Sequence, residues 1–222
     1  MIESILFDID GTLVDSNNFH LLAWAEALHA AGHDFRLQQI HDQIGQGADN
    51  FVPALIPRAS DAEAERLGSE QVRLFKQHYA HRLKPFPGAH DLIARCKAEG
   101  YRVALATSAS AEMLDHHLDL LDVLDLVDVC TTADDVAASK PSPDIFTTAL
   151  EKLATKPDEA LVIGDTPFDI AAARKAGIAT IAVRSGLFPD DQLSAALAIY
   201  DDVAALLARF DESPLSRVSA RA

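Results

Sequence analysis

The chain has 222 residues, enough to bury a substantial core in one large domain, or in one domain carrying a smaller insert. Its formal net charge of −15 argues against a nucleic-acid or anionic-membrane partner, and an anionic substrate has to be held by local cations against the field of the whole molecule. No apolar run is long enough to span a bilayer and the N-terminus enters a strand pattern without a basic leader. Cys96 and Cys130 have no ligand or disulfide spacing, so the expectation is a cytoplasmic protein with two reduced thiols.

The first element is the apolar run Ser4-Ile5-Leu6-Phe7, which ends in Asp8, Asp10, Gly11 and Thr12. Two acids at a strand end serve either as cap and turn residues or as metal and phosphate chemistry, and alone they do not decide between these. Residues 17–84 contain no convincing strand. Helical spacing covers 19–31, 37–44, 48–55 and 61–82, punctuated by Gly32, Gly45, Gly47, Pro53 and Pro57. Lys84-Pro85-Phe86-Pro87-Gly88 then returns the chain to alternating strands and helices. Strands are predicted at 102–106, 126–129, 160–163 and 179–183, without clean alternation, as expected for strands buried on both faces of a parallel sheet. Helices are predicted at 89–99, after Ser110, at 143–152, 168–176 and 203–210.

This order predicts an α/β fold with a three-layer, Rossmann-like parallel-sheet core. The core is made of residues 1–16 and 85–222, with 17–84 as an inserted all-helical cap and 211–222 as a frayed tail. An insert at a strand's carboxyl end lies above the place where open α/β sheets bind ligands, so it is positioned as a lid hinged at Asp15-Ser16-Asn17 and Lys84-Pro85.

Three later segments change the weight of the first acid pair. Ala106-Thr107-Ser108-Ala109-Ser110 puts hydroxyls before a helix, where capping and phosphate binding use the same N–H groups. Ser139-Lys140-Pro141 holds a lysine in a Pro-restricted loop. Gly164-Asp165-Thr166-Pro167-Phe168-Asp169 places an acid after a buried strand and a second acid four residues on. Each has a plain structural reading; their joint occurrence, in order, at strand ends and helix starts does not.

On these motifs the chain resembles the haloacid dehalogenase superfamily over nearly its whole length, specifically the phosphatase-like members with a helical cap after the first strand. The resemblance implies a phosphoric monoester hydrolase acting on a small-molecule phosphate ester. Asp8 would be the nucleophile that forms an aspartyl-phosphate, and Asp10 the general acid and base. Mg²⁺ would be bound by Asp8, the Asp10 backbone carbonyl and Asp165, with Asp169 in support. Thr107 and Ser108 would hold phosphate oxygens, and Lys140 would offset negative charge. Dehalogenases lack an acid at the position of Asp10, and phosphonatases lack it too and use a cap lysine. No lysine occurs here between Asn17 and Phe75.

The nearer rival is the β-phosphoglucomutase branch, which the stretch around His20 and Trp24 resembles. That branch has cap cations where this chain reads Gly45-Gln46-Gly47-Ala48-Asp49-Asn50, and an acid where it has Gly164. Hydrolysis is therefore the main reading and mutase activity the alternative. A phospho-receiver or a silent binding protein is the remote one, because receivers place their acid pair before the acceptor and carry no helical insert. His20, Gln46, Asp49 and Asn50 are the candidates for the leaving group, and Trp24 is expected in the cap core. His116 and His117 are expected on a solvated helix, and His78 and His81 as an i,i+3 pair.

Overall fold

The computed structural model describes residues 1–216. Its centre is a six-stranded, all-parallel sheet in the order β3-β2-β1-β4-β5-β6. The strands are β1 (Ser4–Phe7), β2 (Arg102–Ala106), β3 (Val129–Thr131), β4 (Ala160–Gly164), β5 (Ala179–Val183) and β6 (Ala198–Tyr200). Side-chain alternation assigns the two faces. Ile5, Phe7, Val103, Leu105 and Ile163 pack with α5 (Ala89–Ala98), α6 (Ala111–Leu121) and the helix Val203–Ala208, while Leu6, Ala104 and Val162 pack with α7 (Asp144–Leu153) and α8 (Pro167–Lys175). This is the expected three-layer architecture.

Between β1 and α5 lie four α-helices: α1 (Asn17–Ala30), α2 (Leu37–His41), α3 (Ala48–Leu55) and α4 (Asp61–His78). They enclose an apolar cluster of their own, centred on Trp24 stacked 3.9 Å from Phe51, with Leu28, Ile40, Ile44, Val52 and Leu67. Trp24 is thus buried as expected. Ala23, Ala27, Leu74 and Phe75 on α1 and α4, with Tyr79 just after α4, instead join the cluster of the sheet. The two chain crossings run side by side, with Asp15 N–H donating to the Lys84 carbonyl at 2.9 Å and Val14 bridged to Pro85.

Four expectations are corrected. Strand β3 starts at Val129, not Leu126, because Leu126 closes a turn onto Val123 and the Asp128 carboxylate takes the Val103 N–H. The short edge strand β6 was not foreseen; three residues carry too little alternation to read. Helix α4 stops at His78, so His81 lies in a separate 3₁₀ turn (Ala80–Arg82) and the i,i+3 pair does not form. Residues 211–216 are packed rather than frayed: Leu215 is fully buried and its carbonyl accepts the Tyr101 hydroxyl at 2.6 Å. Residues 217–222 of that expected tail lie outside the described residues. Both cysteines are free, and burial pushes the Cys96 thiol up to about 12. Among the described residues no helix is long and apolar enough to cross a membrane.

Candidate active site

Sheet register builds the site. Phe7 is level with Leu105 on β2 and Ile163 on β4, so Asp8, Thr107 and Asp165 all emerge at one carboxyl edge. In the order β3-β2-β1-β4-β5-β6, chain connections diverge on either side of β1, which is where open α/β sheets leave a ligand crevice. The carboxylates of Asp8, Asp165 and Asp169 come together there, each offering a ligand oxygen within 4.8 Å of the others, and all three are buried.

Lys140 sits inside this cluster. Its Nζ is 2.5 Å from Asp8 Oδ1, 2.8 Å from Asp169 Oδ1 and 3.3 Å from the Ala106 carbonyl, and the residue is 2% exposed. Asp169 is oriented by helix α8: its Oδ2 accepts from the Thr166 N–H (3.0 Å) and hydroxyl (2.6 Å) in a capping box. Gly164 makes room for it, since a Cβ at that position would lie 2.6 Å from Asp169 Cβ. Asp165 accepts from Thr12 Oγ1 at 2.9 Å and Asn17 Nδ2 at 2.8 Å. Gly11, at φ +78°, closes over it so tightly that a Cβ would lie 2.2 Å from Asp165 Oδ2.

Three buried carboxylates against one ammonium leave an excess of negative charge. Burial, only partly offset by Lys140 and reinforced by Asp169, raises Asp8 to about 7. Burial, then Asp8 and Asp169, pushes Asp165 well above the usual carboxylate range. Lys140 is held above its usual range because Asp169 and Asp8 outweigh the cost of burying it. Two like charges about 4 Å apart repel by roughly 4 kcal/mol at an effective dielectric near 20. Such a cluster of hard, charged oxygens fits a divalent cation such as Mg²⁺.

Asp10 has different surroundings. Its carboxylate is not part of the three-acid cluster: Oδ1 accepts from Ser16 Oγ at 2.7 Å and lies 3.2 Å from His20 Nε2. The Gln71 amide nitrogen approaches His20 Nδ1 at 3.2 Å, which assigns the proton to Nε2 and lets it donate to Asp10. The His20 ring is stacked 3.9 Å over Phe75. Burial opposes ionisation of Asp10, but His117, His20 and Ser16 outweigh it and hold the acid well below the usual range.

His117 corrects an expectation. It is fully buried, 3.7 Å from Asp10 Oδ1, and among the described residues neither ring nitrogen has a hydrogen-bond partner. The reason is the spacing of α6, whose buried face is Met113, Leu114, His117, Leu118 and Leu121; that period was readable in the sequence.

A cavity of about 200 Å³ lies between these acids and the helical segment. Asp8, Asp10, Asp169, Ser108, His20 and Gln46 border it. Thr107 is fully buried at the same edge, its Oγ1 accepting the Ala109 N–H at 3.0 Å. Asp49 and Asn50 do not line the cavity. Asn50 Nδ2 instead donates to Ser139 Oγ (2.9 Å) and to the carbonyls of Ser139 and Lys140, while Asp49 accepts the Ser139 hydroxyl at 2.5 Å. They tie α3 to the loop that carries Lys140. Residues that sequence reasoning missed are Ser16, whose partner Asp10 is six residues away, Asn17, Gln71 and Ser139, whose partners are distant in the chain, and Lys76, which borders the cavity.

The profile of the haloacid dehalogenase-like hydrolase family matches residues 5–183. Pyrophosphatase PpaX from Bacillus cereus is 28% identical, over 82% of this chain and 83% of the relative. A crystallised hydrolase from Pseudomonas syringae superposes with a TM-score of 0.88 at 33% identity, covering 95% of this chain and 98% of that one. The CbbY protein from Rhodobacter sphaeroides, crystallised with xylulose-(1,5)bisphosphate, gives a TM-score of 0.78 at 26% identity, covering 93% and 96%.

Proposed function

This chain belongs to the haloacid dehalogenase-like hydrolases, and we propose that within that family it is a Mg²⁺-dependent phosphatase hydrolysing small phosphomonoesters through an aspartyl-phosphate on Asp8. The observation that carries the reading is the division of labour between two acids two residues apart. Asp8 is locked into the cluster with Lys140, Asp165 and Asp169, while Asp10 is turned out of it and borders the cavity. Divergent environments for two neighbouring acids mark an acid–base and nucleophile pair.

Asp8, Asp165 and Asp169 would hold the cation, together with the Asp10 backbone carbonyl. A bound divalent cation supplies the charge that keeps Asp8 and Asp165 ionised and offsets the phosphoryl oxygens. The Asp8 carboxylate attacks phosphorus as the bond to the leaving oxygen breaks. Asp10 gives its proton to that oxygen, and then takes one from the water that attacks the aspartyl-phosphate, releasing phosphate and restoring Asp8. His117, His20 and Ser16 favour the ionised form of Asp10, and a phosphate dianion beside it would raise its proton affinity. Ser16 and His20 occupy Oδ1, which leaves Oδ2 to the substrate. Thr107 and Ser108 would receive phosphate oxygens, and Lys140 would offset the charge passing onto Asp8.

Helices α1–α4 would act as the lid that excludes bulk water, with residues 15–17 and 84–85 as hinges. The test is Mg²⁺-dependent release of phosphate from a panel of phosphorylated metabolites, with Asp8→Asn as control. Stoichiometric phosphorylation without turnover would overturn the reading.

A further inference from the structure

The wall that the helical segment gives the cavity is apolar: Trp24, Ile44, Val72 and Phe75, faced from the sheet side by Ala109 and Met113. The longer polar side chains on the helical side are engaged. His20 is held between Asp10 and Gln71, and Gln46 Nε2 donates to Gln43 Oε1 at 2.8 Å. Lys76 is the one cation among the described lining residues, and its ammonium lies 2.5 Å from Glu112 Oε2. The Asp10 carboxylate borders the same space. A leaving group with a carboxylate or a second phosphate would face mainly apolar carbon, and the one lining cation, Lys76, already has Glu112 as its partner at the exposed rim.

Resting on the phosphatase reading, we propose that the substrates of this site are phosphomonoesters with a neutral, mainly apolar leaving group, a compact alkyl or aryl alcohol. Anionic leaving groups such as glycolate or a second phosphate are excluded by the same wall. The space of about 200 Å³ sets the scale, since it must hold both the phosphoryl group and the alcohol.

The purified protein with Mg²⁺ would be assayed on ethyl, butyl, isobutyl and benzyl phosphates, on phosphoglycolate and on pyrophosphate. Isobutyl phosphate has the shape of phosphoglycolate without its charge. The expected kcat/KM rises about fourfold per buried methylene, and phosphoglycolate and pyrophosphate fall at least about tenfold below isobutyl phosphate. Asp8-dependent turnover in which either anion equals or exceeds the neutral esters overturns this inference and leaves the phosphatase reading standing.

Binding of benzylphosphonate against phosphonoacetate, by calorimetry with Mg²⁺ present, gives a readout without turnover. Tighter binding of phosphonoacetate overturns the inference; tighter benzylphosphonate supports the apolar preference of the site by a readout separate from the turnover that tests the phosphatase reading. Val72→Lys, on a half-exposed position of α4, tests the wall itself. It should shift the binding ratio about tenfold toward phosphonoacetate, and an unchanged ratio would count against the proposal.

Discussion

The two sides of the cavity are built on opposite principles. On the sheet side, Asp8, Lys140, Asp165, Asp169, Thr12 and Asn17 form one buried network in which each charge is positioned by another. On the helical side, most of the wall is Trp24, Ile44, Val72 and Phe75, and its polar contribution to the chemistry is His20 with Gln71 behind it. Removing one member of a buried charged network strands the others, whereas an apolar wall changes shape and area almost residue by residue. The sheet side is thus fixed by the reaction, and the helical side is where relatives of one fold can differ in what they accept.

The contrast is most easily broken at Asp8. Asp8→Asn should lower kcat/KM by at least about 10⁴-fold on every substrate, because the nucleophile itself is lost. Single-turnover phosphate release is the measurement, and residual turnover near the parent rate would remove Asp8 from the chemistry. Asp10→Asn sharpens the contrast further. Loss of a general acid costs roughly 10²–10⁴-fold, but only where the leaving oxygen needs a proton. Alkyl phosphates should show the full loss and p-nitrophenyl phosphate, whose leaving group departs as a stable anion, much less. An equal loss in kcat/KM, which excludes the shared second step, would mean that Asp10 acts by positioning.

The charged side should also respond to metal and pH where the apolar side does not. Burial holds the folded Asp8 proton up to about 7, against an ordinary value of 3.8. Between those values the folded state binds more protons than the unfolded one. This group's contribution to stability is therefore present at low pH and lost as pH rises from about 4 through 7. Asp165 shifts in the same direction. A cation held by these carboxylates would compete with protons for the same oxygens, so stabilisation by Mg²⁺ should grow over that window. At a hundred times its dissociation constant, Mg²⁺ would add about 2.7 kcal/mol near neutral pH, and clearly less near pH 5.5. Thermal melts with and without Mg²⁺ at both pH values check this; an increment independent of pH would separate the cation from these acids.

The charged side was also the more legible one in the sequence. Asp8 and Asp165 follow strands and Asp169 lies in the first turn of a helix, so parallel register has little freedom in where it puts them; Lys140, in the loop before α7, was legible from its Pro-restricted setting. The helical insert was legible as an element, through its lack of strands, but its side-chain assignments were not. Asn50 and Gln46 look alike in sequence, yet Gln46 borders the cavity while Asn50 is spent on the Ser139-Lys140 loop. Which way a polar side chain on a short helix points depends on how that helix docks, and docking is set by distant partners such as Ser139. His117 is the converse case. Its burial follows from local period, but its approach to Asp10 needs α6 to be placed against β1 by the whole core.

The smallest expected effect separates the two parts Asn50 could play. If it touched the leaving group, its removal would alter kcat/KM unequally across substrates. Its amide donates instead to the Ser139 and Lys140 carbonyls, so its influence reaches every substrate through the fit of α3 on the Lys140 loop. Asn50→Ala should then cost about 1 kcal/mol, roughly fivefold in kcat/KM, and by the same factor for alkyl, aryl and sugar phosphates. Asn50→Asp should cost more than Ala, because a carboxylate would face those carbonyls with no proton to share and Asp49 already stands beside it. Profiles of both variants over a mixed panel decide the matter. A uniform loss ordered Asp above Ala places Asn50 in the docking of the helical segment, and a substrate-dependent loss returns it to the specificity wall.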